Sequence, residues 1–118
     1  MEDESSLGEV LREARVQKGL SLRTVAAELG ITPSYQSDIE NDRRVPAEEV
    51  LARTAILLDL DFDRLMARAG RFGERAERYL KRQPAAVQLF RRISEKNLSR
   101  DELEKLGEQV ERIRKEPE

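Results

Sequence analysis

Cysteine and histidine are both missing from this chain. The first absence excludes disulfides and thiol nucleophiles; the second removes the commonest metal-binding side chain and the group most used for proton transfer near neutral pH. No Gly-rich phosphate loop, metal-ligand cluster or aromatic cage is present, so the residues support no enzyme, no cofactor and no small-molecule pocket. Nowhere do eighteen apolar residues run together, and the opening MEDESSLGEV lacks a basic leader followed by an apolar core. Neither a membrane span nor secretion is expected, and the cytoplasm is the expected location. No useful stretch alternates with period two, which argues against strands.

What remains is charge and helical periodicity. Of 118 residues, 39% are charged, yet the net charge is only −2. The imbalance is regional. Through Gly70, nine Arg or Lys stand against fourteen Asp or Glu, for −5; from Arg71 onward thirteen stand against ten, for +3. Apolar residues at spacings of three and four recur almost everywhere, so the expected fold is all-α. A chain of this length buries one modest core, or a small domain with an appendage that needs a partner.

The spacing predicts a first helix from Leu7 to Lys18, burying Leu7, Val10, Leu11 and Ala14 and ended by Gly19. Within Ser21–Pro46, SLRTVAAELGITPSYQSDIENDRRVP, Leu22, Val25, Ala26 and Leu29 recur at helical spacing and Gly30 supplies a stop. Thr32 and Pro33 then provide an N-cap and first-turn start for another helix. Two short helices joined by a tight turn form a helix-turn-helix signature. Tyr35 and Ile39 fall four apart on the second helix, leaving Ser34, Ser37 and Asp38 on faces that can meet a groove. A fourth helix is expected near Ala47, burying Val50, Leu51, Ala55 and Leu58. Asp61 caps a fifth with Phe62, Leu65 and Met66 inward, and Gly70 closes the bundle.

Beyond Gly70 the pattern predicts a segment around Glu74–Arg82, a helix from Pro84 through Val87, Phe90 and Ile93, and a break at Asn97–Ser99. Ser99 and Glu102 have the spacing of a capping box. The last helix carries Leu103, Leu106, Val110 and Ile113 as a two-heptad apolar stripe flanked by charge, with Pro117 past its end. The expected organisation is a flexible acidic N-terminus at 1–6, a five-helix DNA-binding domain at 7–70 and a helical dimerisation or regulatory segment at 71–118. About fifty residues make a poor independent domain, so the segment either extends the first core or pairs with a second copy; pairing is the favoured expectation, through Val87, Phe90, Ile93, Leu103, Leu106, Val110 and Ile113.

The string Pro33-Ser34-Tyr35-Gln36-Ser37-Asp38-Ile39-Glu40, followed by Arg43-Arg44 and Pro46, resembles the Xre-type, phage-repressor-like helix-turn-helix regulators, over roughly Leu7 to Gly70. In that family the start of the second helix of the motif enters the major groove. By position the resemblance points to Thr32, Pro33, Ser34, Ser37 and Asp38 as base contacts. Asp38 suits a cytosine amine and none of the five is a strong bidentate reader, so DNA shape is expected to share the selectivity. Ser21, Arg23, Tyr35, Arg43 and Arg44 are expected phosphate contacts, Tyr35 packing its ring while its hydroxyl reaches the rim. The resemblance also implies a structural ion pair between Arg15 and Glu40. Two departures stand out: Gln36 sits where the family usually has an apolar residue and must find hydrogen-bond partners or tilt outward, and Asn41-Asp42 replaces a common glycine, with Asn tolerant of the left-handed turn.

These residues lead to an expected homodimeric, sequence-specific transcriptional regulator, a repressor of a palindromic operator in double-stranded DNA. The rival is a protein-binding module such as an antitoxin, holding a partner through the acidic half or the basic tail. A further resemblance, carried by Ala69-Gly70-Arg71 and by Pro84 with Leu89-Phe90-Arg91, is to regulators encoded with zinc metallopeptidases that inactivate them by cutting the tail. It implies a regulatory protein or protease as an additional partner.

Overall fold

The computed structural model describes residues 5–115, and these form eight helices and no strands. They divide into two compact units, the first ending at Glu74 and the second beginning at Arg75.

The first unit is built from five short helices whose ends are written in local chemistry. Helix α1 (Leu7–Gln17) is opened by a capping box: Ser6 accepts from the Glu9 amide while the Glu9 carboxylate accepts from the Ser6 amide. Ser6 and Ser5 therefore do not belong to a flexible leader, since Ser5 also offers its carbonyl to Arg68 Nε at 3.0 Å. Met1–Glu4, the rest of that expected segment, lies outside the described residues. Helix α2 (Leu22–Leu29) starts at the Ser21 cap and stops at Gly30, whose φ of 72° is open to glycine at little cost. Two residues later Thr32 caps α3 (Pro33–Glu40), with Pro33 in the first turn. Helix α4 (Glu48–Leu58) has no side-chain cap but two acidic residues, Glu48 and Glu49, against its positive end. Asp61 caps α5 (Phe62–Ala69), and Gly70 ends it in the left-handed region.

One apolar cluster joins Leu7, Val10, Leu11, Ile39, Leu51, Ala55, Leu65 and Met66; a second joins Val25, Leu29 and Leu58. Most of the expected core residues take these places; Ala26 and Val50 are buried outside both clusters, Ala14 is half-buried against the second and Phe62 half-buried against the first. α3 is thus seated by Ile39 among apolar residues of α1, α4 and α5, with α2 packed beside it. Gly8 sets how closely α1 and α3 approach: a Cβ there would stand 2.3 Å from the Glu40 carbonyl oxygen. Only hydrogen fits.

The second unit carries most of α6 (Glu74–Arg82), then α7 (Pro84–Lys96) and α8 (Arg100–Arg112). Pro84 stands in the first turn of α7 and Asn97 ends it with φ 49°; Ser99 and Glu102 then form the capping box of α8. None of the three helices buries a residue. Val87, Leu89, Phe90, Leu103 and Val110 are exposed, while Ile93, Leu98 and Leu106 are half-covered. Ile113, expected as the last member of the helical stripe, falls just past α8 with ψ 126°. A β-branched residue at an uncovered helix end has little to hold it helical. Pro117 lies outside the described residues.

Candidate nucleic-acid interface

Helix α3 presents two unlike sides. Gln36, Ile39 and Glu40 are buried, and Tyr35 is half-buried against the first cluster. On a 3.6-residue helix the opposite arc holds Pro33, Ser34, Ser37, Asp38 and, one residue past the helix, Asn41. Thr32, Pro33, Ser34 and Asn41 are exposed, whereas Ser37 and Asp38 are partly covered. Four of the five residues expected at bases therefore share one arc, and Thr32, the N-cap, stands one residue before it. They are not equally available. Thr32 spends its oxygen as acceptor for the Tyr35 amide at 3.0 Å, Ser37 accepts from Asn41 Nδ2 at 3.3 Å, and Asp38 lies 3.8 Å from Arg43 Nη1. Ser34 is the exposed hydroxyl best placed to act without first giving up a neighbour.

The pose of this face is set underneath it. Arg15 grips Glu40 with both arms of its guanidinium, Nε to Oε2 at 2.8 Å and Nη2 to Oε1 at 2.9 Å, and spends Nη1 on the Leu20 carbonyl at 3.0 Å. Gln36 Nε2 donates to Glu40 Oε2 at 3.0 Å, so this glutamine stays buried by finding a partner on its own helix rather than tilting outward. Arg12 Nε stands 3.7 Å from Glu40 Oε1. Burial pushes the Glu40 carboxyl up, but the hydrogen bonds from Arg15 and Gln36 and the two guanidinium charges outweigh it and hold the group below its ordinary range. The bond to Glu40 likewise raises Arg15 against the opposing effect of its burial. Among the described residues no buried side-chain nitrogen or oxygen lacks a hydrogen-bond partner.

The turn after α3 differs from expectation in one residue. Asp42, not Asn41, adopts the left-handed conformation, with φ 59°. Asn41 is held near-helical by Nδ2 donating to the Ser37 carbonyl at 2.9 Å and by Oδ1 accepting from Arg12 Nη2 at 2.8 Å; Asp42 Oδ1 meanwhile accepts the Gly8 amide at 2.9 Å. Each side chain is fixed by α1, which a linear reading of the loop does not include. Arg12 and Asn41, absent from the expected site, are part of its frame. The contact behind them joins residues 29 apart in sequence, and periodicity carries no signal of it.

Around this polar face stand the expected basic residues. Arg23, Arg43 and Arg44 are exposed. Arg44 lies over the Tyr35 ring, its guanidinium carbon 4.5 Å from the centroid, so the two form one cationic, aromatic rim element. Ser21 accepts from the Thr24 amide at 3.0 Å and shares a 2.8 Å hydroxyl contact with Thr24. Its hydroxyl is committed to the cap, while the amides of Leu22 and Arg23 in that first turn have no intrahelical partner and suit a phosphate oxygen. Thr24 stands beside them, a residue that helical periodicity alone does not single out. The result is a polar helix face on a rigid seat, framed by guanidiniums and a helix N-terminus, which is the architecture of a helix-turn-helix DNA-binding regulator.

A family model described as "Helix-turn-helix domain" matches residues 6–70, more than half of the chain. The chain belongs to this helix-turn-helix family, of the Xre type, whose members are DNA-binding transcriptional regulators rather than enzymes. It is similar to the ImmF control region 10 kDa protein of Bacillus phage phi105, with 40% identity over 63 residues, 53% of this chain and 70% of that one. It is also similar to the transcriptional regulator ClgR of Mycobacterium tuberculosis, with 34% identity over 79 residues, 67% of this chain and 70% of the relative. Among solved structures, the clp gene regulator ClgR from Corynebacterium glutamicum matches with 31% identity and a TM-score of 0.47, covering 54% of this chain and 83% of that one. Among the described residues no helix is long and apolar enough to cross a membrane, and no group of acidic side chains is gathered as a metal site.

Proposed function

We propose that this protein is a repressor that occupies a palindromic operator as a homodimer, each copy laying α3 in the major groove. The observation that carries the reading is the buried Arg15–Glu40–Gln36 network beneath an exposed polar helix face, because it holds α3 in one pose while committing no exposed residue of that face. Ser34, Pro33 and Thr32 meet base edges at the start of the helix, Ser37 and Asp38 border them, and Arg23, Arg43, Arg44 and the first turn of α2 hold phosphates. One reading helix spans only a few base pairs. Two copies with half-sites about 34 Å apart supply useful specificity.

The second unit supports the dimer. Its apolar residues Val87, Phe90, Leu103 and Val110 are exposed, Ile93 and Leu106 are half-covered, and no helix of the unit buries a side chain. Helices in that condition gain most by burying the stripe against a second copy. Cleavage by a partner peptidase near Leu89, exposed on α7, would then act as a release signal through linkage between dimerisation and DNA affinity.

Selection of bound sequences from a random duplex pool, at near-physiological salt, tests this reading. An enriched palindrome with half-sites about one helical turn apart supports it. Enrichment of a single half-site, or no enrichment at all, overturns the dimeric operator.

A further inference from the structure

The positive excess of the second half of the chain is concentrated in one short segment. Between Arg71 and Arg82 five Arg or Lys stand against two Glu, whereas from Gln83 to Glu118 eight stand against eight. α6 spans most of that segment and buries no side chain. Along it Arg75, Arg78 and Arg82 step by three and then four residues, so they share one face, with Tyr79 on one border, Glu74 on the other beside Arg78, and Glu77 on the far side. All four stripe residues are exposed, Arg82 at the helix end included.

We propose that this face of α6 is a second DNA contact, made to the phosphate backbone outside the base pairs that α3 reads. The proposal rests on the DNA-binding reading and adds to it a surface outside the matched domain. Residues 1–70 carry a net −5, so the helix-turn-helix unit gains little from nonspecific attraction to a polyanion. The α6 stripe supplies what that unit lacks. Three guanidiniums over about 10.5 Å of helix axis meet a duplex that carries one phosphate charge per about 1.7 Å. Guanidinium is the cation best shaped for phosphate, and a neighbouring tyrosine offers a further hydrogen bond to the backbone.

Connectivity gives the same answer. Arg71 is tied to the loop that follows Arg43 and Arg44, donating from Nε to the Pro46 carbonyl at 2.6 Å and from Nη2 to the Val45 carbonyl at 3.5 Å. α6 begins three residues later. So short a covalent link keeps the stripe at high effective concentration beside any duplex that the first unit holds. A lipid surface fits less well, since Ala76 and Leu80 alone make too narrow an apolar face for an interfacial helix.

The test is a salt titration of the full chain on a mixed-sequence duplex, followed by fluorescence anisotropy. Arg75→Gln/Arg82→Gln is compared with Arg100→Gln/Arg112→Gln, which removes the same charge from α8, and with Arg43→Ala/Arg44→Ala. Glutamine preserves helix propensity, and circular dichroism checks that folding is unchanged. The α6 variant should bind roughly 10- to 60-fold more weakly near 0.1 M salt, with the slope of log affinity against log salt reduced by up to about 1.8 per chain, while the α8 variant stays close to wild type. Wild-type affinity and slope in the α6 variant, with the Arg43/Arg44 variant weakened, would overturn the second contact and leave the first intact. Equal weakening by the α8 variant would also overturn it, showing a net-charge effect. A wild-type chain that binds no duplex would sink both readings.

Discussion

Glu40 concentrates the chemistry that positions the reading helix. Its side chain is 1% exposed and receives hydrogen bonds from Arg15 and Gln36. Removing it leaves a guanidinium that is itself largely buried without its partner. Glu40→Ala should therefore cost about 3–5 kcal/mol, measured by urea unfolding, whereas Gln36→Leu, which removes a donor but leaves the bidentate pair and adds apolar contact, should stay within about 1.5 kcal/mol. The pair also sets an acid limit. Because the folded carboxyl titrates below its ordinary 4.5, its stabilisation is complete above that value and is lost as pH falls through the folded pKa. Thermal unfolding of Glu40→Gln across acid pH should show a flatter profile than wild type. Gly8 is the steric counterpart of this pair. Gly8→Ala must push α1 away from the Glu40 carbonyl, which its Cβ would meet at 2.3 Å, and should cost about 1–3 kcal/mol in the same assay.

Among the elements, α3 and its following loop carry the two proposed kinds of DNA contact, which have different signatures. Arg43 and Arg44 lie beyond the helix, exposed and without a place on the reading arc. Arg43→Ala/Arg44→Ala should weaken binding to all sequences evenly and lower the salt slope by about 0.9 for each phosphate no longer neutralised. Ser34→Ala should instead change which bases are preferred, with the salt slope intact, read by repeating the duplex selection. The helix ends that carry these residues were legible in the sequence, because caps act within three or four residues. Thr32, Asp61 and Ser99 each accept an amide of the first turn that their spacing forecasts, whereas the cap made by Ser21, expected only at a phosphate, is a finding of the structure. The loop at Asn41–Asp42 was not fully legible. Its left-handed residue is chosen by Arg12 and Gly8, more than twenty residues upstream.

For the whole molecule, DNA affinity and association are one linked equilibrium under the proposed mechanism. The exposed apolar positions on α7 and α8 are the place to separate them. Phe90→Asp/Val110→Asp, or truncation near Leu89, should give a monomer by sedimentation that no longer holds the operator at concentrations where the full chain does. A dimeric, operator-bound truncation would place the interface elsewhere, with Val45 and Ile56, 54% and 83% exposed in the first unit, as the next positions to substitute. The distribution of charge belongs to this scale as well. An acidic reading domain followed by a basic α6 divides sequence selection from electrostatic capture between two parts of one chain.

Local and periodic information was enough for the helix order, the caps, most of the core residues of the first unit and the face of α3 turned away from it. These depend on interactions within one or two turns and on which side chains avoid water, both of which are written along the chain. Only the tertiary structure decided that Gln36 is buried on Glu40, that Asp42 rather than Asn41 turns the loop, that Arg12 and Asn41 brace the reading face, and that Arg68 and Arg71 are spent on the carbonyls of Ser5 and Pro46. Each is a pairing between residues distant in sequence or a choice among several possible partners. A polar side chain announces that it needs a partner, and the packing of the helices determines which one it meets.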